Sequence, residues 1–264
     1  MEKKFGTITL KTLPADNDVM LDMALKMVHC VRENNAAGKD TVMIVPVGPT
    51  AQYPIFAAIA NEIRLDLSRV HLFNMDEYLL TPTQRIADDH QMSFHRRMKT
   101  DLYDRLDPAI TIPEAQRHFP DPSNMATYDK EIADLGGADL CLGGIGINGH
   151  IAFNEPPEKD AMISADEFAA LPTRVLPISR ETIVANAIGY QRGDLRGMPE
   201  YCVTVGMNSI LAAKEIYLAL SRDWQHGIVK RILTGPVTAE IPCSLLQRHP
   251  LVTICSPAPI AEGL

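Results

Sequence analysis

Several features of other protein classes are missing from this sequence. No apolar run reaches the roughly 18 uncharged residues of a membrane-spanning helix, and the first residues lack an apolar segment of signal-peptide length. The formal net charge is -8, whereas proteins that hold nucleic acid by neutralising its phosphates carry clustered lysines and arginines. We therefore expect a cytoplasmic protein that binds neither nucleic acid nor a membrane.

Cysteine is scarce, and its spacing does not indicate a disulfide framework or a zinc site. No two cysteines form a CxxC pair, and most lie within apolar runs; they are Cys30, Cys141, Cys202, Cys243 and Cys255. The chain also lacks HExxH, a Walker A loop and a complete GxGxxG between a strand and a helix. We expect reduced thiols, and neither a metal nor an organic cofactor.

The pattern of apolar residues predicts alternating strands and helices. Residues 17–31 have the three- and four-residue apolar spacing of a helix, with Asp16 as a candidate N-cap, and TVMIVPV at residues 41–47 is typical of a strand covered on both faces. Further strands are predicted at residues 70–73, 139–142, 202–205, 216–220 and 251–255. Helices are predicted at residues 50–63, 91–106, 126–135, 181–188, 209–214 and 227–233.

This alternation predicts an α/β fold, a doubly wound, mostly parallel sheet with helices on both faces. No linker, low-complexity tract or internal repeat divides the chain, so a single domain of residues 1–264 is expected. Ligands of such sheets bind at the carboxyl ends of the strands. Residues that follow predicted strands are therefore the candidates for a functional site.

The strongest candidate segment is residues 142–156 (LGGIGINGHIAFNEP), which begins at the end of a predicted strand. Its four glycines allow the backbone to turn sharply and to approach a ligand. The turn brings His150 and Glu155 to the carboxyl edge of the sheet. A histidine there can exchange protons near neutral pH, and a carboxylate can fix its tautomer. The segment therefore predicts a proton-transfer site.

The same segment closely resembles the signature Gly-Gly-x-Gly-x-Asp-Gly-His-Ile-Ala-Phe-Asn-Glu-Pro of the glucosamine-6-phosphate deaminase/isomerase family. Residues 73–78 (FNMDEY) match that family's Phe-Asn-x-Asp-Glu-Tyr pattern, again directly after a predicted strand. Residues 89–98 (DHQMSFHRRM) are similar to a third family segment. The resemblance extends over most of the chain and implies the same α/β fold.

The resemblance also implies a reaction, in which an amino-sugar phosphate such as glucosamine 6-phosphate gives a ketose phosphate and ammonia. By resemblance, His150 opens the pyranose ring, Glu155 orients that histidine, and Asp76 moves a proton between sugar carbons C2 and C1. No metal or cofactor is needed for these steps. The expected substrate-binding residues are Gly48, Thr50, Glu77, Gly149 and Arg180.

The chain departs from the family beside the histidine. Where the family has an aspartate two residues earlier, this sequence has Asn148, which we group with the catalytic residues. An amide cannot supply the negative charge that stabilises an imidazolium, so His150 is expected to be a weaker base. The alternative is that Asn148 keeps the turn and one hydrogen bond while Glu155 supplies enough charge.

A second departure concerns phosphate binding. The family loop Thr-Gly-Gly-Thr-Pro becomes residues 47–51 (VGPTA), which removes one hydroxyl and one backbone N–H donor. A phosphate-binding arginine of the family is replaced by Ile183, and the basic residue expected after the strand at residues 216–220 is out of position. An anion site at another position is a hypothesis, for which the candidates are Arg96, Arg97, Arg180 and Arg222.

Three functions are compatible with these residues. The favoured prediction is an aldose-ketose isomerase/deaminase whose partner is a small-molecule sugar-phosphate substrate. The alternatives are a hydrolase resembling 6-phosphogluconolactonases, which carry a similar Gly-x-Gly-x-Asp-Gly-His turn, and a non-catalytic sugar-phosphate-binding protein. The family includes both monomers and hexamers, so the sequence leaves open whether the chain forms a homo-oligomer.

Overall fold

Two β-sheets form the frame of the structure, a computed structural model that describes residues 1–158 and 160–264. The strands of the larger sheet are β1 (Glu2–Phe5), β2 (Ile8–Leu13), β3 (Thr41–Val45), β4 (Val70–Asn74), β7 (Arg117–His118), β8 (Leu140–Gly143), β11 (Ile216–Ala219) and β12 (Val252–Pro257). Their order is β1-β2-β12-β11-β8-β3-β4-β7. β1 and β2 pair antiparallel, and the other neighbours pair parallel.

The smaller sheet is antiparallel, and the sequence did not predict it. Its strands are β5 (Asp76–Thr81), β6 (Gln84–Arg85), β9 (Arg174–Pro177) and β10 (Tyr201–Thr204), in the order β6-β5-β10-β9. The strand predicted at residues 202–205 was therefore assigned to the wrong sheet. Both kinds of strand are short and apolar, so the pattern did not distinguish them.

Every predicted helix has a counterpart in the structure, some longer and some shorter than predicted, but the helices at Ala165–Ala169 and Ala258–Ala261 were not predicted. They are α1 (Asp16–Ala36), α2 (Gln52–Glu62), α3 (Phe94–Asp101), α4 (Met125–Asp134), α5 (Ala165–Ala169), α6 (Arg180–Tyr190), α7 (Met207–Leu211), α8 (Gln225–Thr234) and α9 (Ala258–Ala261), with 3-10 turns at Tyr103–Arg105, Glu114–Gln116 and Pro242–Arg248. Ala15, not Asp16, occupies the N-cap position of α1, and Asp18 accepts a hydrogen bond from the Ala15 N–H. The predicted cap at Asp16 was wrong by one residue.

Side chains of β3 explain why helices cover both faces of the large sheet. Val42 and Ile44 pack in one apolar cluster, with residues of α4, α7 and α8, whereas Met43 and Val45 pack in another, with residues of α1 and α2. Successive side chains of a strand point to opposite faces, so a strand this apolar must be covered twice. The predicted α/β fold with a mostly parallel sheet and helices on both faces is confirmed.

None of the helices in the described part of the chain combines the length and the apolar character needed to cross a bilayer.

The carboxylate of Glu77 connects β5 to the first turn of α3. It is fully buried, and it accepts hydrogen bonds from the backbone N–H groups of Phe94 (3.0 Å) and His95 (3.1 Å) and from the Ser93 hydroxyl (3.2 Å). The first N–H groups of a helix have no partner within the helix, and a negative charge near them is favourable. Glu77 therefore fixes the start of α3 against the smaller sheet.

Replacing this carboxylate should destabilise the fold. We expect Glu77→Gln to lower the free energy of unfolding by about 1 to 3 kcal/mol, because the amide puts N–H donors against backbone N–H donors. Urea unfolding followed by circular dichroism measures this change. Glu33→Gln, at an exposed position on α1, is the matched control and should stay within about 0.5 kcal/mol of the parent. Equal effects of the two substitutions would contradict the capping role.

Candidate active site

A cavity of about 650 Å³ lies at the carboxyl ends of the parallel strands. Its wall includes residues 46–51 after β3, Met75 and Asp76 after β4, residues 144–147 after β8 and residues near the start of α8 after β11. This is the edge at which sheets of this type bind ligands. The segments that the sequence singled out therefore meet at one crevice.

Two glycines make room for the turn that carries His150. A Cβ atom on Gly146 would lie 2.0 Å from the His150 imidazole ring, so only glycine allows the ring its observed position. Gly149 has a φ of +88°, a region that other residues rarely adopt. Its carbonyl accepts a hydrogen bond from the Cys243 N–H, and it is not among the residues that line the cavity. In this structure Gly149 serves the turn, and the substrate contact predicted for it stays a prediction.

Asn148 joins His150 to Glu155. Its side-chain amide donates to Glu155 Oε2 at 2.7 Å and to Ser179 Oγ at 3.1 Å, while its Oδ1 lies 2.8 Å from His150 Nδ1. A carboxylate can only accept, so the NH₂ group of Asn148 must face Glu155 and its oxygen must face the histidine. In the neutral form of the ring, Nδ1 therefore carries the proton and Nε2 has a free lone pair.

Glu155 is an ionised group held beside this histidine. Burial alone would raise its pKa, but hydrogen bonds with His150, Asn148 and Thr182 and the charge of His150 outweigh it and lower the pKa to about 2. Its Oε2 lies 3.4 Å from His150 Nδ1. At neutral pH a negative charge is thus present next to the imidazole, although the neighbouring residue is an amide.

Asp76 occupies the junction between the two sheets. The preceding residue, Met75, donates its N–H to the Val45 carbonyl of the large sheet and accepts from the Val205 N–H, which follows β10. Asp76 is 6% exposed and lines the cavity. Burial, with a further contribution from the charge of Glu77, raises its pKa well above the usual range of a carboxyl group. Such a carboxyl group binds a proton more tightly than an exposed one does.

The neighbouring Glu77 points elsewhere, because adjacent side chains of a strand face opposite sides. Its oxygens hold the start of α3, as described above, and it does not line the cavity. The prediction that Glu77 binds substrate is not supported by this position. Arg180, the first residue of α6, is exposed and also lies outside the cavity lining.

The remaining predicted contacts, Gly48 and Thr50, do line the cavity. The sequence did not single out one polar pair of the cavity as a functional site. Asn186 of α6 donates to the Tyr78 hydroxyl at 3.0 Å, and both residues line the cavity. Thr182 lies one turn earlier on α6 and reaches His150 Nδ1 at 3.2 Å. The sequence did contain a signal for these two residues, because the four-residue spacing of Thr182 and Asn186 places both on one face of a helix.

Within residues 1–158 and 160–264, no cluster of three or more His, Cys, Asp or Glu side chains has the arrangement of a metal site. The polar groups that face the cavity are instead suited to proton transfer and to hydrogen bonding with a polar ligand.

Comparison with known proteins adds to this geometry. Residues 14–254 match the family described as glucosamine-6-phosphate isomerases/6-phosphogluconolactonase. A glucosamine-6-phosphate deaminase of Halothermothrix orenii is 32% identical over 241 residues, which cover 88% of this chain and 92% of the relative. A protein of the same name from Clostridium perfringens strain SM101 is 34% identical over 204 residues, covering 76% and 77% of the two chains.

Solved structures give the same fold. A monomeric glucosamine-6-phosphate deaminase aligns with a TM-score of 0.82 at 23% identity, covering 96% of this chain and 98% of that one. The 6-phosphogluconolactonase from Trypanosoma cruzi aligns with a TM-score of 0.72 at 16% identity, covering 100% and 98%. The resemblance inferred from the motifs is thereby confirmed. By sequence and by fold, the chain belongs to the family of glucosamine-6-phosphate isomerases and 6-phosphogluconolactonases.

Proposed function

We propose that this protein is an aldose-ketose isomerase/deaminase that converts an amino-sugar phosphate, such as glucosamine 6-phosphate, into a ketose phosphate and ammonia. The observation that carries the proposal is that two proton-transfer groups, Asp76 and His150, line the same cavity. Relatives at 32% and 34% identity are named glucosamine-6-phosphate deaminase, which favours this reaction over lactone hydrolysis.

In the proposed first step, His150 opens the sugar ring. Because Nδ1 is held as a donor to Asn148, Nε2 is free to take the proton of the anomeric hydroxyl. The proton then passes to the ring oxygen as the bond between that oxygen and C1 breaks, which gives the open-chain aldehyde. Glu155, ionised because its pKa is about 2, stabilises the imidazolium that forms in between.

In the second step, the ionised form of Asp76 takes the proton from C2. The electrons of that C–H bond form the C1–C2 double bond, and the carbonyl oxygen at C1 takes a proton from the ammonium group at C2, which gives a neutral enolamine. Asp76 returns its proton to C1, which leaves an iminium group at C2. Water adds there and ammonia leaves, so that one water is consumed for each ammonia released.

The free thiols support a cytoplasmic setting for this reaction. All five cysteines are unpaired, and burial raises the pKa of the Cys141 and Cys243 thiols. Protonated thiols are poor nucleophiles, so neither side chain is assigned a part in the chemistry.

The proposed reaction is tested by incubating the protein with glucosamine 6-phosphate, galactosamine 6-phosphate and 6-phosphogluconolactone. We expect ammonia and a ketose phosphate in equal amounts from an amino sugar, and deuterium at C1 when the solvent is D₂O. Opening of the lactone without ammonia release would instead identify a hydrolase. Binding of the amino sugars without turnover would identify a non-catalytic binding protein.

Asp76→Asn should lower turnover strongly and stabilise the fold. Turnover should fall by about 100- to 10,000-fold, because a general base of this kind contributes that much. The raised pKa means that the folded protein keeps the Asp76 proton at a pH where the unfolded chain releases it, so the parent loses stability as pH rises. The variant should therefore gain about 1 to 3 kcal/mol at pH 8 and less at pH 4.

Urea unfolding of both proteins at several pH values, together with an ammonia assay, measures these effects. The activity of the parent should also decline on acidification, as Asp76 becomes protonated. A stability difference that does not change with pH would contradict the assigned environment of Asp76.

Substitutions of Asn148 separate its acceptor role toward His150 from its donor role toward Glu155 and Ser179. Asn148→Ala removes all three contacts and should lower kcat by about 100-fold, because the imidazole loses the acceptor that fixes its tautomer. Asn148→Asp keeps this acceptor and loses the donors to Glu155 and Ser179, so kcat should stay within about tenfold of the parent. Equal losses in steady-state assays of the two variants would refute the assigned role of the amide oxygen.

A further inference from the structure

The cavity has few positive groups with which to hold a phosphate. Among the described residues, the arginines that line it are Arg97 and Arg222, and no lysine does so. Ile183, which stands where the family resemblance implies a phosphate-binding arginine, packs against an apolar cluster that includes Tyr78 and Phe153. A phosphate group in the cavity must therefore be bound by an arginine at another position than 183.

Arg97 lines the cavity, and its guanidinium is held in place by two side chains. It belongs to α3, and its Nη2 donates to the Thr50 hydroxyl at 3.2 Å. On the other side, its Nε lies 3.3 Å from Asp101, one turn further along the helix. A guanidinium fixed at two points loses little conformational freedom when it binds a ligand.

The contacts of Arg97 leave donors free for a ligand. Asp101 is close to Nε and Thr50 to Nη2, so Nη1 has no assigned partner in the described part of the chain. Because the Thr50 oxygen accepts from Arg97, its own O–H proton is available to donate. The two side chains together present a guanidinium edge and a hydroxyl to the cavity.

The other arginines are less suited to this task. Arg222 is exposed, and within the described residues its hydrogen bond is made by its backbone N–H, to Gln225 Oε1 at 2.9 Å, rather than by its guanidinium. Arg96 is exposed and donates to the Asp89 carbonyl at 3.0 Å. Arg96 and Arg180 do not line the cavity.

We propose that Arg97, with Thr50, binds the anionic phosphate group of the substrate and so determines the preference for phosphorylated over unphosphorylated sugars. This inference rests on the proposed function, since it concerns the substrate of the same cavity. Charge-assisted hydrogen bonds from an arginine to a phosphate are stronger than neutral ones and favour anions over hydroxyl groups. Arg97 makes no contact with the reacting carbons in this assignment, so its contribution is to binding.

The test compares Arg97→Ala, Arg97→Lys, Arg222→Ala and Arg96→Ala with the parent, using glucosamine 6-phosphate and glucosamine as substrates. Arg97→Ala should raise KM for the phosphorylated sugar by about 10- to 100-fold with little change in kcat, and leave kcat/KM for glucosamine unchanged. Arg97→Lys should recover part of the loss. Arg96→Ala, the neighbouring arginine outside the cavity, should match the parent with both sugars.

Calorimetric titration with glucosamine 6-phosphate separates this inference from the proposed reaction. If neither the parent nor any variant releases ammonia, but Arg97→Ala alone loses binding of the phosphorylated sugar, the anion site is supported and the deaminase assignment fails. If ammonia is released and Arg97→Ala keeps the preference of the parent, the anion site is wrong. A larger loss in Arg222→Ala than in Arg97→Ala would likewise overturn it. Thermal unfolding of each variant checks that the fold is intact.

Discussion

The position of Met75 between the two sheets governs the rest of the site. Its N–H and its carbonyl are bound to different sheets, so the chain must leave the parallel sheet and enter the antiparallel one at this residue. The next two residues are acidic, and the alternation of the strand sends their side chains in opposite directions. Asp76 enters the cavity with an unfavourably buried carboxyl group, while Glu77 finds donors at the start of α3. One backbone connection thus separates a carboxyl group that lines the cavity from one that holds the start of a helix.

The exchange of a family aspartate for Asn148 is less disruptive than the sequence indicated. A second carboxylate at this point would face Glu155 at the distance of a hydrogen bond, whereas the amide satisfies Glu155 and still accepts from His150. The tautomer is set by the amide oxygen, and the negative charge is supplied by Glu155. Of the two interpretations of Asn148 drawn from the sequence, the geometry favours the one in which the turn and a hydrogen bond are kept.

Five strands of the larger sheet could be predicted because they are apolar runs separated by amphipathic helices, and β3 is a clear example. The sequence did not predict β1, β2 and β7, whose residues are more polar. The antiparallel sheet could not, since β5 begins within a motif and β10 resembles the parallel strands in composition. The motifs located Asp76, His150 and Glu155, but adjacency in sequence could not show that Glu77 lies outside the cavity lining, because its direction depends on strand register. Arg97 was one of four candidate arginines, and only its hydrogen bond to Thr50 and its place in the cavity lining separated it from Arg96.

The contact between Gly146 and the imidazole ring links two positions that the sequence presents as independent. Any side chain at position 146 would occupy the space of the ring, and without His150 a glycine there would have no such requirement. The two residues should consequently have been retained or lost together during the divergence of this family. A homologue that has replaced one of them should be examined for replacement of the other before it is counted as an enzyme of the same kind.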